Sequence, residues 1–207
     1  MHTYRFLGAQ VRRSHCKMLI EDSENGKVAQ KKRLTAIDLF AGAGGFSLAA
    51  QMCDVDVRAA VEHDFHACAT YRANLVDPRT KVPFVLEQDI NDVKWPTLLK
   101  KANLSRGECD LLLGGPPCQG FSTHRIKGAG IGDPRNELLA RYFECVKAIR
   151  PLAFLIENVS GLLWKRHETY LKQLYEAGKR AKYTVLPPIL INAKPISGFV
   201  SPVVVSS

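Results

Sequence analysis

LTAIDLFAGAGGF, running from Leu34 to Phe46, joins an apolar run to a glycine-rich turn. Leu34 to Phe40 reads as a buried strand, the glycines as a tight turn, and Phe46 to Met52 as the helix that the turn opens. Bare backbone at such a turn suits a nucleotide-like ligand, whose atoms can approach closely there. The alternation continues outward. Further strands are expected over Val55 to Val61, Pro83 to Leu86, Cys109 to Leu113, Leu152 to Ile156 and Thr184 to Asn192. Helices are expected over Phe65 to Asn74, through Leu98 to Ala102, and over Trp164 to Ala177. Another runs to Ile149, with Asp133 as N-cap and Pro134 at its first position. Strands alternating with helices imply an α/β fold: a mainly parallel sheet covered by helices on both faces. Ligands of such sheets sit beyond the carboxyl ends of the strands.

Composition sets the outer bounds. At 207 residues, 46% hydrophobic and 24% charged, the chain is long enough for one domain with a sizeable core. No run approaches the roughly 18 apolar residues of a membrane span, and the N-terminus has no apolar segment of the signal-peptide kind. The six cysteines fall at irregular spacing and form no CxxC pair, so neither a disulfide framework nor a metal site is indicated. A reducing interior is the simplest compartment. The formal charge of +9 favours a polyanionic partner. Much of it lies in residues 1–33, at Arg12, Arg13, Lys17, Lys27, Lys31, Lys32 and Arg33. That stretch is polar and without sustained periodicity, so it reads as a poorly ordered basic leader.

Acidic residues mark the strands. Asp38 lies in the first, Glu62 ends the second about 24 residues later, and Asp89 ends the region of the third. A carboxylate at Glu62 can accept hydrogen bonds from ribose hydroxyls, and Asp89 can accept from an adenine amino group. The three together are expected to converge on one edge of the sheet; singly, each is as well explained as a solvated acid or a helix cap. The glycine spacing is G-A-G-G rather than G-x-G-x-x-G, which fits a pyrophosphate turn poorly. A nucleoside cofactor without phosphates fits better than a dinucleotide.

GGPPCQGFS, from Gly114 to Ser122, carries the reactive group. Cys118 follows a short apolar strand and two prolines that fix φ and lack an N–H, and Gly120 lets the chain turn away. Most free cysteines are small core residues. A thiol on a Pro/Gly corner is instead held out of the core.

DLFAGAGG, Glu62, Asp89-Ile90, GGPPCQGFS, Asp133-Pro134-Arg135-Asn136 and Glu157-Asn158-Val159 occur in that order. In these motifs the chain resembles the DNA (cytosine-5)-methyltransferases, from about Leu34 to Ala193. The resemblance implies a Rossmann-like methyltransferase fold and S-adenosyl-L-methionine as methyl donor. By motif position it implies that Phe40 packs on adenine and that the turn from Ala41 through Gly42 and Gly44 to Gly45 cradles the methionine part. Glu62, with His63 beside it, would hold the ribose. Asp89 and Ile90 would meet the adenine edge, and Pro117 would line the pocket beside the donor. Cys118 would add to carbon 6 of cytosine, and Glu157 would bind ring nitrogen 3, which requires a raised carboxyl pKa. The target base would be flipped out of double-stranded DNA. The loop Phe121 to Gly132 could close over it, with Ser122, Arg125 and Lys127 reaching phosphates or serving only as loop polars.

After Ala193 the pattern departs from the family. The resemblance calls for a segment with a Gln and two arginines, a target-recognition region and a final returning element. The chain has no arginine after Arg180. Residues 34–193 therefore read as a cofactor-binding and catalytic domain, incomplete at its C-terminus and lacking its last two strands, and residues 194–207 as an atypical tail. Three functions are compatible: a methyltransferase module, alone or with a complementary chain; an inactive fragment that binds cofactor or nucleic acid; or a relative acting on cytosine in RNA. Such an enzyme belongs in a bacterial cytoplasm, in restriction–modification, or in a nucleus.

Overall fold

The computed structural model describes residues 3–8, 33–117, 135–159, 164–165 and 168–192. In chain order the strands are β1 (Thr3–Gly8), β2 (Thr35–Leu39), β3 (Asp56–Glu62), β4 (Phe84–Glu87), β5 (Leu111–Gly114), β6 (Ala153–Val159) and β7 (Ile189–Asn192). The helices are α1 (Gly45–Met52), α2 (Phe65–Leu75), α3 (Trp95–Lys101), α4 (Arg135–Ile149) and α5 (Glu168–Arg180), with a 3₁₀ turn at Ile90–Asp92. One seven-stranded sheet runs in the order β4-β3-β2-β5-β6-β1-β7. From β4 to β6 every pairing is parallel. β1 is antiparallel to both β6 and β7.

Alternation along β2 divides the core. Ile37 and Leu39 face one layer, with Leu98, Leu139, Tyr142, Val146, Ile149 and Leu174 from α3, α4 and α5. Ala36 faces the other, with Ala50 of α1 and Val57, beside a small cluster of Ala41, Ala60 and Tyr71 of α2. Period-two alternation in a strand with both faces covered by helices gives the doubly wound arrangement expected. Aromatic edges lock the larger layer: Phe154 meets the rings of Tyr142, Phe143 and Tyr183 at 5.3–6.1 Å, all edge-on. The Tyr142 hydroxyl donates within reach of the carbonyls of Leu112 and Leu155, at 3.0 and 3.2 Å, tying α4 to β5 and β6. Its ring crosses Gly114 so closely that a Cβ there would stand 2.6 Å from Tyr142 Cε2.

Within residues 1–33, read as a poorly ordered leader, Thr3–Gly8 is a strand inside the sheet; its β6 partners lie over 140 residues away in sequence, and nothing local marks it. β7 falls within the strand expected over Thr184 to Asn192. Three element bounds are corrected. β6 runs on to Val159, three residues past the expected end at Ile156. α5 starts at Glu168 and not Trp164, and β7 at Ile189 and not Thr184. Pro187 and Pro188 precede β7 and supply no N–H to a ladder. The Asp133 and Pro134 cap, residues 9–32 and the tail 194–207 lie outside the described residues.

Candidate active site

β2 and β5 are adjacent in the sheet, and the chain winds outward from them in both directions. Beyond the carboxyl ends of a sheet's strands, at such a reversal, the crevice is open. A cavity of about 220 Å³ lies there, lined by Phe40, Val61, Glu62, His63, Gln88, Asp89, Ile90, Pro117 and Leu138. These residues follow or end β2, β3, β4 and β5, with Leu138 closing one wall from α4. Six residues expected from the sequence are thus brought together: Phe40, Glu62, His63, Asp89, Ile90 and Pro117. The sequence alone does not single out Val61, Gln88 or Leu138. Val61 and Gln88 are chain neighbours of expected residues, whereas no local signal marks Leu138.

Phe40 adopts φ +57°, a left-handed conformation that is strained for a bulky residue and clusters at functional sites. It turns the chain sharply out of β2 into Ala41-Gly42-Ala43-Gly44-Gly45. Ala41, Gly42, Gly44 and Gly45 do not line the cavity themselves; they form the turn beside it. Gly42 (φ +54°) and Gly44 (φ +101°) supply the conformations that the turn needs. A Cβ at Gly42 or Gly45 would meet nothing within 4 Å, so the space over the turn is open. Gly44 is packed from below, its missing Cβ replaced by Leu75 and Tyr71.

Glu62 is fixed before any ligand arrives. Oε2 accepts from the Gly42 N–H at 2.9 Å, and Oε1 accepts from the N–H groups of His63 and Asp64, both at 2.8 Å. His63 Nδ1 lies 3.1 Å from the same Oε1, with its ring largely exposed. A carboxylate has about four acceptor positions, so Oε2 retains capacity for one more donor. The carboxylate thereby staples the glycine turn to the end of β3. Asp89 caps the 3₁₀ turn, accepting at Oδ1 from the Asn91 N–H at 2.8 Å. Arg141 of α4 holds that turn from behind, donating to the carbonyls of Ile90 and Val93 at 2.9 and 2.5 Å while stacking on Trp95.

Asp38 does not join the other two acids. It is fully buried, accepts from the Ser47 hydroxyl at 2.7 Å, and does not line the cavity. Ser47 in turn accepts from the Tyr71 hydroxyl at 2.6 Å. The trio braces the start of α1 beneath the turn. Burial raises the Asp38 carboxyl to about 7, against the lowering effect of the Ser47 hydrogen bonds.

Cys118, Ser122, Arg125 and Lys127 lie outside the described residues. The turn leading to Cys118 is described as far as Pro117, and its surroundings are specific. Pro117 lines the cavity. Gly115 lies under Glu157, whose Oε2 would stand 3.1 Å from a Cβ on that glycine. Asn158, buried, donates from Nδ2 toward the Pro116 carbonyl at 3.4 Å. So Glu157 and Asn158 on β6 both touch the Gly115-Pro116 turn, and Pro117 carries it on to the cavity. The sequence does not single out Asn158 as a positioning residue, although it adjoins Glu157 in the motif. Burial pushes the Glu157 carboxyl upward, and among the described residues no donor bonds to it. Cys68, Cys109 and Cys145 are buried thiols. Burial raises all three, Cys109 to about 12, which suits core packing and not nucleophilic attack. Among the described residues no group of His, Cys, Asp and Glu could hold a metal ion, and no helix is long and apolar enough to cross a membrane.

The arrangement is that of a doubly wound α/β protein with a ligand cavity at its topological switch point and a Pro-Pro turn entering beside it. More particularly, the chain belongs to the C-5 cytosine-specific DNA methylases, a family that matches residues 34–196. It is 36% identical over 154 residues to the Type II methyltransferase M.XorII of Xanthomonas oryzae, covering 74% of this chain and 35% of that protein. It is 37% identical over 158 residues to the Type II methyltransferase M1.HphI of Haemophilus parahaemolyticus, covering 76% and 41%. The fold is similar to that of a prophage-encoded protein of E. coli described as a putative DNA modification methyltransferase. There the TM-score is 0.58 at 31% identity, over 71% of this chain and 38% of that one. The chain therefore spans about two fifths or less of the length of these relatives.

Proposed function

We propose that the chain transfers a methyl group from S-adenosyl-L-methionine to carbon 5 of cytosine in double-stranded DNA, through a covalent adduct with Cys118. One observation carries this reading: the turn that leads to Cys118 runs from beneath the Glu157 carboxylate to the wall of the cavity.

The cavity fits the cofactor. Phe40 offers a ring for an adenine, Glu62 Oε2 retains an acceptor position for a ribose hydroxyl, and the open space over Gly42 and Gly45 admits a chain against bare backbone. Among the described residues no basic side chain lines the cavity apart from His63, as befits a ligand without phosphates. When bound, S-adenosyl-L-methionine supplies an electrophilic methyl group. Cytosine carbon 5 is too electron-poor to take it unaided. Addition of the Cys118 thiolate to carbon 6 pushes electrons onto carbon 5, splitting one hard step into two easier ones. Burial pushes the Glu157 carboxyl upward, which favours the protonated form that would donate to ring nitrogen 3 and relieve the charge that develops there. Once carbon 5 carries the methyl group, its proton leaves and the carbon–sulfur bond to Cys118 breaks, restoring the thiolate.

The base must leave the duplex to reach this site, at a cost of a few kcal/mol. Ser122, Arg125 and Lys127 are proposed to contact phosphates beside it. We assign cofactor binding and adduct formation to the matched residues 34–196. A complementary chain that reads the DNA is proposed as a partner. The setting would be restriction–modification in a bacterial cytoplasm, or a nucleus in a eukaryote. The test is a duplex containing 5-fluorocytosine, from which the blocking fluorine cannot leave. With S-adenosyl-L-methionine, a covalent protein–DNA band should form and vanish in Cys118→Ser. Cofactor binding with no adduct, even with a target-reading half added, would refute catalysis.

A further inference from the structure

The N-terminal strand lies outside the family match, which begins at residue 34, yet it sits inside the sheet between two strands that the match includes. β5 supports β6 only from Ala153 to Ile156, where Gly114 pairs with Ile156 and the parallel ladder stops. β6 continues for three residues, and these are the motif residues Glu157, Asn158 and Val159. Their only ladder partner among the described strands is β1: Phe6 stands opposite Glu157, Arg5 opposite Asn158 and Tyr4 opposite Val159. On its other side β1 carries β7, pairing Thr3 with Asn192 through Phe6 with Ile189. Among the described strands β7 has no other neighbour.

We propose that Thr3–Gly8 is a working part of the active site: a strand that fills a slot between β6 and β7 and fixes the backbone position of Glu157. This rests on the catalytic role given to Glu157 above. An unpaired strand end frays, because backbone groups without ladder partners turn to water. Glu157 must stay over Gly115 to meet the base, and a displacement of about 1 Å at a reacting group costs about a hundredfold in rate. β1 prevents that displacement, and it brings β7 into the sheet by the same pairing. The cofactor cavity, built at the ends of β2 to β5, does not depend on it.

The test uses the full-length chain with Phe6→Pro, which removes an N–H from the middle of an interior strand. Amide hydrogen exchange is expected to quicken at least tenfold at Glu157–Val159 of β6 and across the β7 ladder, Ile189–Asn192, with β2 and β3 unchanged. Affinity for S-adenosyl-L-methionine should stay within about twofold while adduct formation falls at least tenfold, since loss of position and not of cofactor is at stake. A chain lacking residues 2–8 should behave alike, and a synthetic peptide of residues 1–10 should restore both exchange protection and adduct; the same peptide with Phe6→Pro should not. Unchanged protection at Glu157–Val159, or equal rescue by both peptides, would overturn the proposal. Where neither altered chain folds, Leu7→Cys with Ile156→Cys reads the register directly, because opposed strand positions lie within disulfide reach. Failure of the two introduced cysteines to join would again overturn it. A full-length chain with this exchange pattern that never forms an adduct refutes the catalytic reading and leaves the strand assignment standing.

Discussion

The carboxylate of Glu157 lies directly over Gly115: a Cβ built on that glycine would stand 3.1 Å from Glu157 Oε2. Contact this tight forces the neighbour to yield by a few tenths of an ångström. Gly115→Ala should therefore leave the fold intact and move the carboxyl away from the base. Adduct formation is expected to slow about tenfold, a fraction of the roughly hundredfold cost of a 1 Å displacement, with cofactor affinity unchanged. Single-turnover rates with the 5-fluorocytosine duplex, set against calorimetric cofactor titration, would check this. Equal loss of both would show that the alanine disturbs the turn as a whole.

Glu157→Gln separates stability from chemistry. Burial raises the Glu157 carboxyl above its ordinary value of 4.5. A group raised in the fold adds stability below its unfolded pKa, and that contribution is lost as pH rises through the folded value. At neutral pH the wild-type glutamate carries a penalty that glutamine lacks. The variant should melt about 1–2 °C higher near pH 8, with the gap closing below about pH 4.5, the small size reflecting solvent screening at a partly exposed group. Its adduct rate should fall, because an amide cannot pass a proton to ring nitrogen 3. Melting curves across that range, alongside adduct rates, give both signs.

The parts of this site legible in the sequence are those encoded within a few residues. The strand, turn and helix around Gly42 to Gly45 follow from local propensity and spacing, and so do the strand-end positions of Glu62 and Asp89. Asp38 misleads because a strand residue's face depends on the layer above it. Its neighbours Ile37 and Leu39 face one layer and Ala36 the other, and Asp38 turns inward to Ser47. β6 reads three residues short in the sequence because the partner of Glu157, Asn158 and Val159 is Thr3–Gly8, far away along the chain. Leu138 reaches the cavity only because α4 packs across the sheet. Pairing and layer packing are tertiary facts, and no window of sequence contains them.

Asp38 should leave its mark on the pH dependence of stability. Its carboxyl rises from 3.8 to about 7 in the fold. Its stabilising contribution is complete below about pH 3.8, declines as pH climbs, and is gone above about 7. Asp38→Asn removes that dependence, since an amide does not titrate. The difference in stability between wild type and variant should change by up to about 1.4 kcal/mol per pH unit within the window and level off on either side. Oδ1 has no partner among the described residues, so an amide nitrogen placed there lacks an acceptor; that adds a constant offset and leaves the slope intact. Urea unfolding at several pH values measures it, and a flat difference between about pH 4 and 7 would contradict the assignment.

Two adjacent glycines should answer oppositely to alanine. At Gly44, φ is +101° and a Cβ would lie 2.2 Å from Leu75 Cδ1 and 2.8 Å from Tyr71 Cδ2. Both the backbone and the packing resist, so Gly44→Ala should cost roughly 1–3 kcal/mol of stability. At Gly45 a Cβ meets nothing within 4 Å, and the residue opens α1. Gly45→Ala should leave stability unchanged or slightly raised, by up to about 1 kcal/mol. If the open space above the turn is where the methionine part of the cofactor lies, the new methyl group occupies it. Affinity for S-adenosyl-L-methionine should then drop about tenfold, or about 1.4 kcal/mol, in a chain that melts no lower than wild type. Calorimetry and melting on the two variants, side by side, separate a turn that merely folds from one that receives a ligand; full affinity in Gly45→Ala would move the methionine part elsewhere.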